Sequence, residues 1–206
     1  MSEEGVAYFY ESVIRGRQLV CRNHAPQSVT EALPNRTYTL PSKATFSYSD
    51  LAVIGHVTAA EKGPAFAHAG EDVVVPVSFD DPSAAERTAH VHVTVEEFFG
   101  KEPVPAELVF QMGLLNADNP GLFLDGLRSL GRIAVALTVH QRKRVLIPAQ
   151  QGALIARIDG ADRLTFPALA PKGETFLAGV TNVDEFRTAA AEPPRTVVLK
   201  VPQGRH

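Results

Sequence analysis

The segment Ala89 to Phe98 constrains the fold more than any other part of the chain. In it Val91, Val93 and Val95 alternate with His90, His92, Thr94 and Glu96. Successive side chains of a β-strand point to opposite faces, so this order puts the valines on one face and the polar set on the other. A helix would scatter both sets around its circumference. The segment therefore reads as a strand with one buried face, and antiparallel sheets are the ones that ordinarily leave the second face to water.

Other stretches repeat the theme. Leu51 to Thr58 is a buried-strand run in which Gly55 marks a bulge or a close backbone crossing. In Val73 to Phe79, Pro76 lacks an N–H and so belongs at a sheet edge or a bulge. Ala106 to Gln111 is a further strand. Ile133 to Val139 and Val145 to Pro148 flank the basic turn Gln141-Arg142-Lys143-Arg144 as a hairpin, and Ala153 to Ile158 with Leu164 to Phe166 form another around Asp159-Gly160. Thr196 to Val201 is a last strand.

One helix is well signalled. Asn119 is a good N-cap, Pro120 suits the first helical position, Leu122, Phe123, Leu127 and Leu130 share a face, and Gly131 stands where a C-cap glycine belongs. Val6 to Val20 reads instead as an edge strand pair turned at Gly16. Ser28 to Leu33 reads as a helical turn stopped by Pro34, and Asn35 to Asp50 as an extended connection. Phe176, Leu177, Val180, Val183 and Phe186 predict one bent or two short helices ending before Pro193.

The expected fold is mostly β: an OB-like, partly open antiparallel β-barrel with one capped helix and a C-terminal helical extension. A chain of 206 residues suits one such domain. Residues 1–49 form an N-terminal extension, 50–170 the barrel core, and 171–206 the C-terminal helical segment and last strand.

Composition narrows the chemistry. The net charge of −3 offers no positive field for a polyanion, and with no tryptophan and 7% aromatic residues a base-stacking platform has few side chains to draw on. No apolar run approaches the roughly 20 residues of a membrane-spanning helix, and the first residues are acidic where a signal peptide would be basic. The expectation is a chain with no membrane partner, not exported. The single Cys21 excludes an internal disulfide and fits a reducing, cytoplasmic address. Ligand and protein partners, including further copies of the chain, are left open.

Three groups of side chains can carry chemistry. His90, His92 and Glu96 offer metal ligands along one strand face, with neighbouring same-face side chains about 6 to 7 Å apart; the ordinary alternative is a solvated strand face. Cys21 stands beside Arg22 and near His24, although one such pair is neither a zinc finger nor a catalytic dyad. Arg142, Lys143 and Arg144, joined by Arg15, Arg17 and Arg22, form the densest basic cluster, which would touch phosphate if the barrel bound an oligonucleotide and is otherwise a solvated turn. The phosphate-binding, dinucleotide, nucleophile-elbow and His-Glu-x-x-His motifs are missing, and Asp80-Asp81 belongs in a loop.

Two resemblances attach to these residues. His90-x-His92-x-x-x-Glu96 resembles the first half of the cupin metal motif, which implies one divalent transition metal and a metal-dependent enzyme. The chain departs from that motif, with Ala84 and Pro103 where cupins place glycines and with no second motif around His140. Across residues 50 to 160, the succession Val53-Ile54-Gly55-His56-Val57 and later Val91 to Lys101 resembles bacterial, actinobacterial-type OB-like proteins of the netrin-module kind. That resemblance implies a β-barrel, and without the disulfide cysteines of secreted netrin modules it implies no extracellular activity. Taken together, these readings favour a non-catalytic binding module that needs no cofactor. A metal enzyme using His90, His92 and Glu96 is the first alternative, and oligonucleotide binding through Arg142 to Arg144 the second.

Overall fold

Val6, Phe9, Tyr10 and Val13 recur at the spacing of one helix face, and in the computed structural model they lie on a helix, α1 (Glu3–Asn23). This corrects the edge-strand reading of the same residues. The Ser2 hydroxyl accepts from the Gly5 N–H at 3.0 Å, and Glu3 and Glu4 stand in the first turn, where the helix dipole favours acids. The structure describes residues 2–23, 43–47, 50–70, 73–100, 103–114, 117–140, 144–168, 177, 179–191 and 196–200, with the main chain alone for 17–23, 43–47, 150–151 and 196–200. The helical turn expected at Ser28 to Leu33 lies outside those residues.

The remaining elements follow in order: β1 (Lys43–Ser47), β2 (Leu51–His68), β3 (Val74–Val77), β4 (Glu86–Phe99), β5 (Glu107–Gly113), α2 (Pro120–Arg128), β6 (Arg132–Val139), β7 (Leu146–Pro148), β8 (Ile155–Ile158), β9 (Leu164–Thr165), α3 (Val183–Ala191) and β10 (Thr196–Lys200). The fold is mostly antiparallel β-sheet with three helices. Both expected hairpins form, β6 with β7 and β8 with β9, and β1 pairs with β10 in a separate two-stranded sheet.

The main sheet runs β5-β4-β2-β6-β8-β9, with β3 paired to the far end of β2 and β7 to the end of β6. Among the described residues the sheet does not close, although its curl brings Cα atoms of β5 and β7 within 8 Å of one another. Pro76 sits on β3, which among the described residues pairs only with β2, an edge position that its missing N–H suits. Three bulges interrupt the β2–β4 ladder, and at one of them Val95 and Glu96 together oppose Gly55. A Cβ on Gly55 would collide with the Thr94 carbonyl oxygen, so the glycine serves both as bulge partner and as close crossing.

Each face of the sheet is covered differently. Helices α1 and α2 cover one face, where Phe9, Phe123, Val91, Val93, Phe110 and Ile133 are at most 1% exposed. The helices approach so closely that a Cβ on Gly126 would strike the Gly5 carbonyl oxygen, while Tyr8 Oη accepts from the Asn119 N–H at 2.7 Å. Asn119 caps α2 as expected, its Oδ1 accepting from Leu122 N–H at 3.0 Å. The last helical cap is Ser129, and Gly131, at φ +68°, makes the turn into β6 beyond it. Helix α3 covers the other face at the β6–β8 end, burying Phe186 against Ile54, Ala134 and Ala156. The segment 1–49 thus supplies part of the core.

Candidate binding groove

The polar face of β4 is where the alternation places it. Val91 and Val93 are buried, while His90 and His92 are half-buried on the face away from α1 and α2. His92 Nε2 lies 3.8 Å from Glu61 Oε2, beyond hydrogen-bonding range. Glu96, the bulge residue, does not turn toward these histidines. Its carboxylate accepts from Arg132 Nε at 2.9 Å and meets His56 Nε2 at 2.9 Å. Among the described residues no three His, Cys, Asp or Glu side chains are gathered into a set able to hold a metal ion.

Of the basic cluster, only Arg15 and Arg144 have described side chains. Arg142 and Lys143 lie outside the described residues, and Arg144 is exposed at φ 51° beside β7. Arg15 faces Asp118 at 3.6 Å and stacks 5.7 Å from the Tyr8 ring. The Cys21 side chain and His24 lie outside the described residues, as do the side chains of Arg17 and Arg22.

A groove of about 790 Å³ opens at the end of the sheet where β6 begins. Antiparallel pairing brings its wall together: His56 of β2 sits opposite Arg132 of β6, and Arg157 of β8 sits opposite both Ile133 of β6 and Thr165 of β9. Helix α1 closes one side with Val6 and Tyr10, and the β8–β9 turn closes the other with Asp159, Gly160 and Arg163. Leu130, Ile158 and Pro167 add apolar surface between them.

Its charges are paired. Arg132 bridges Glu96 and Asp162; burial works against its charge, but the hydrogen bonds outweigh burial and hold the guanidinium more firmly protonated than usual. Arg157 Nη1 donates to Glu3 Oε2 at 2.9 Å, a bond that raises the arginine and lowers the carboxyl. Asp159 accepts from the main-chain N–H groups of Arg163 and Ala161 and from the Arg163 guanidinium, which together hold it below the ordinary carboxylate range.

Tyr10 stands apart from this pairing. It is 6% exposed, its hydroxyl is sealed from water, and burial pushes its pKa well above that of an ordinary phenol. Among the described residues no group meets that hydroxyl in good hydrogen-bonding geometry, although the Arg157 guanidinium charge and the Arg157 main-chain N–H both act on it. Of the groove residues, the sequence marks Leu130 and Gly131 as the end of a helix and Asp159 and Gly160 as a turn, but nothing in it marks them as parts of one site. The others, polar and apolar, are scattered from Val6 to Pro167, and nothing local marks them as neighbours.

Comparison with protein families, curated proteins and solved structures finds no family model, no curated protein and no solved structure that matches this chain.

Proposed function

We propose that this chain is a non-catalytic binding module on an OB-like, partly open β-barrel, and that it takes a small ligand in the groove between α1 and the β8–β9 turn. The observation that carries the reading is the groove itself. Its volume of about 790 Å³ falls in the range of small-molecule sites, and it combines apolar walls with a few convergent polar groups. The ion pairs at its rim support binding over catalysis, because guanidiniums and carboxylates committed to one another fix shape and polarity rather than move protons. The barrel reading draws on the curl of the sheet, in which β5 and β7 approach around the core that α1 and α2 cover. One cysteine in the chain supports a cytoplasmic address.

The test is a two-dimensional amide NMR screen of the full chain against small apolar acids, alcohols and amides. Compounds that bind should shift the Tyr10, Gly131 and Gly160 resonances together. Thr165→Trp, which fills the groove from an exposed wall position, should abolish those shifts while leaving the remaining spectrum folded. Binding that shifts other regions only, or that survives Thr165→Trp, overturns the proposal.

A further inference from the structure

Three features of the groove bear on what it holds. First, Arg157 presents a five-donor guanidinium, of which Nη1 is used on Glu3. Second, that partner is easily displaced: Glu3 is 71% exposed on the first turn of α1, and exposed ion pairs are weak. Third, the walls offered by Val6, Leu130, Ile158 and Pro167 are apolar.

Charge decides what kind of oxygen fits. Three guanidiniums at the groove, Arg132, Arg157 and Arg163, face four carboxylates, Glu3, Glu96, Asp159 and Asp162. A polyphosphate or nucleic-acid backbone would meet net repulsion. A single negative charge can enter by replacing one of the carboxylates already there. A planar carboxylate has two acceptor oxygens and matches the fork of a guanidinium.

Resting on the groove-binding reading above, we infer that the ligand is a small amphiphile with one carboxylate, whose head is received by the Arg157 guanidinium. The head takes the place on Arg157 that Glu3 now holds, and the apolar tail lies against Val6, Leu130, Ile158 and Pro167. Glu3 therefore acts as a competitor built into the chain. Removing its charge strengthens binding; removing Arg157 weakens it.

Isothermal titration of the full chain with octanoate and with 1-octanol, its neutral counterpart, tests this. Octanoate should bind the wild type more tightly than octanol. Arg157→Gln should weaken octanoate by about tenfold, as expected for a charge-assisted hydrogen bond. Glu3→Gln should tighten octanoate severalfold, and neither substitution should change octanol. If Arg157→Gln fails to fold, the Glu3→Gln arm still decides, because a gain in affinity cannot come from misfolding. If octanoate and octanol bind alike and neither responds to Glu3→Gln, the carboxylate assignment is overturned while groove binding stands. If neither compound binds, the amphiphile assignment falls, and the groove reading falls with it only if the NMR screen is also silent.

Discussion

The Glu3 carboxylate and the Arg157 guanidinium meet at 2.9 Å, joining the first turn of the N-terminal helix to the eighth strand across 154 positions of sequence. Because this bond holds the Glu3 carboxyl below its ordinary value of 4.5, the folded state keeps the group charged at a pH where the unfolded chain protonates it. The stabilisation is present above that ordinary value and is lost as pH falls through the lowered, folded one. Urea midpoints of wild type and Glu3→Gln should therefore differ at pH 7, with the wild type higher, and converge in acid as pH falls through the lowered value. Equal midpoints at pH 7 would show that the pair contributes nothing to folding.

Ser12 is wholly buried on α1, and among the described residues its hydroxyl has no hydrogen-bond partner. A buried donor without a partner carries its desolvation cost uncompensated, so Ser12→Ala should stabilise the protein by about 1 kcal/mol. Chemical denaturation measures this directly. A loss of stability would mean that the hydroxyl has a partner in solution.

The contact between α1 and α2 leaves no room at Gly126, where an added methyl would collide with the Gly5 carbonyl oxygen. Gly126→Ala should cost about 1 to 3 kcal/mol by forcing the helices apart. Gly160→Ala, whose Cβ would meet nothing within 4 Å, serves as the control and should leave the melting temperature nearly unchanged.

Helix α3 is held by a buried ring and by an exposed ion pair, and the two should differ greatly in weight. Phe186 is 0% exposed, with its ring 6.1 Å from that of Phe99, so Phe186→Ala should cost about 3 to 5 kcal/mol. Arg187, bonded to Glu97 at 2.6 Å, is exposed, and Arg187→Gln should lower the melting temperature far less. Comparable losses for the two variants would mean that the ion pair, rather than burial, docks the helix.

How legible the fold was depended on whether a segment has one environment per face. In β4 the valines meet the core and the histidines do not, so the period of two was plain. The capped helix α2 was equally plain because Asn119, Pro120 and the leucine spacing agree. Helix α1 is the exception: Tyr8, Phe9 and Tyr10 are consecutive aromatics of good strand propensity, and Gly16 has the character of a turn residue. What overrode propensity was the recurrence of Val6, Phe9, Tyr10 and Val13 on one helical face buried against α2. Glu96 was grouped with His90 and His92 because a regular strand would put them on one face; the bulge opposite Gly55 broke that regularity. The groove was not legible at all, since Tyr10, His56, Arg132 and Arg157 become neighbours only through helix packing and cross-strand register.

That same bulge has a further meaning. Val95 and Glu96 together face Gly55, and beyond them Phe98 rejoins the side of Val91 and Val93 while Glu97 turns to Arg187. Take Glu96 away and the strand would still alternate correctly along its whole length, because the ladder has no pairing position that requires it. It is a surplus residue, carried by the strand without being used for pairing. Its carboxylate is nonetheless the one that ties His56 to Arg132 at the mouth of the groove. The sheet can thus lose this position and keep its architecture, whereas the groove would lose the anchor of its Arg132 wall.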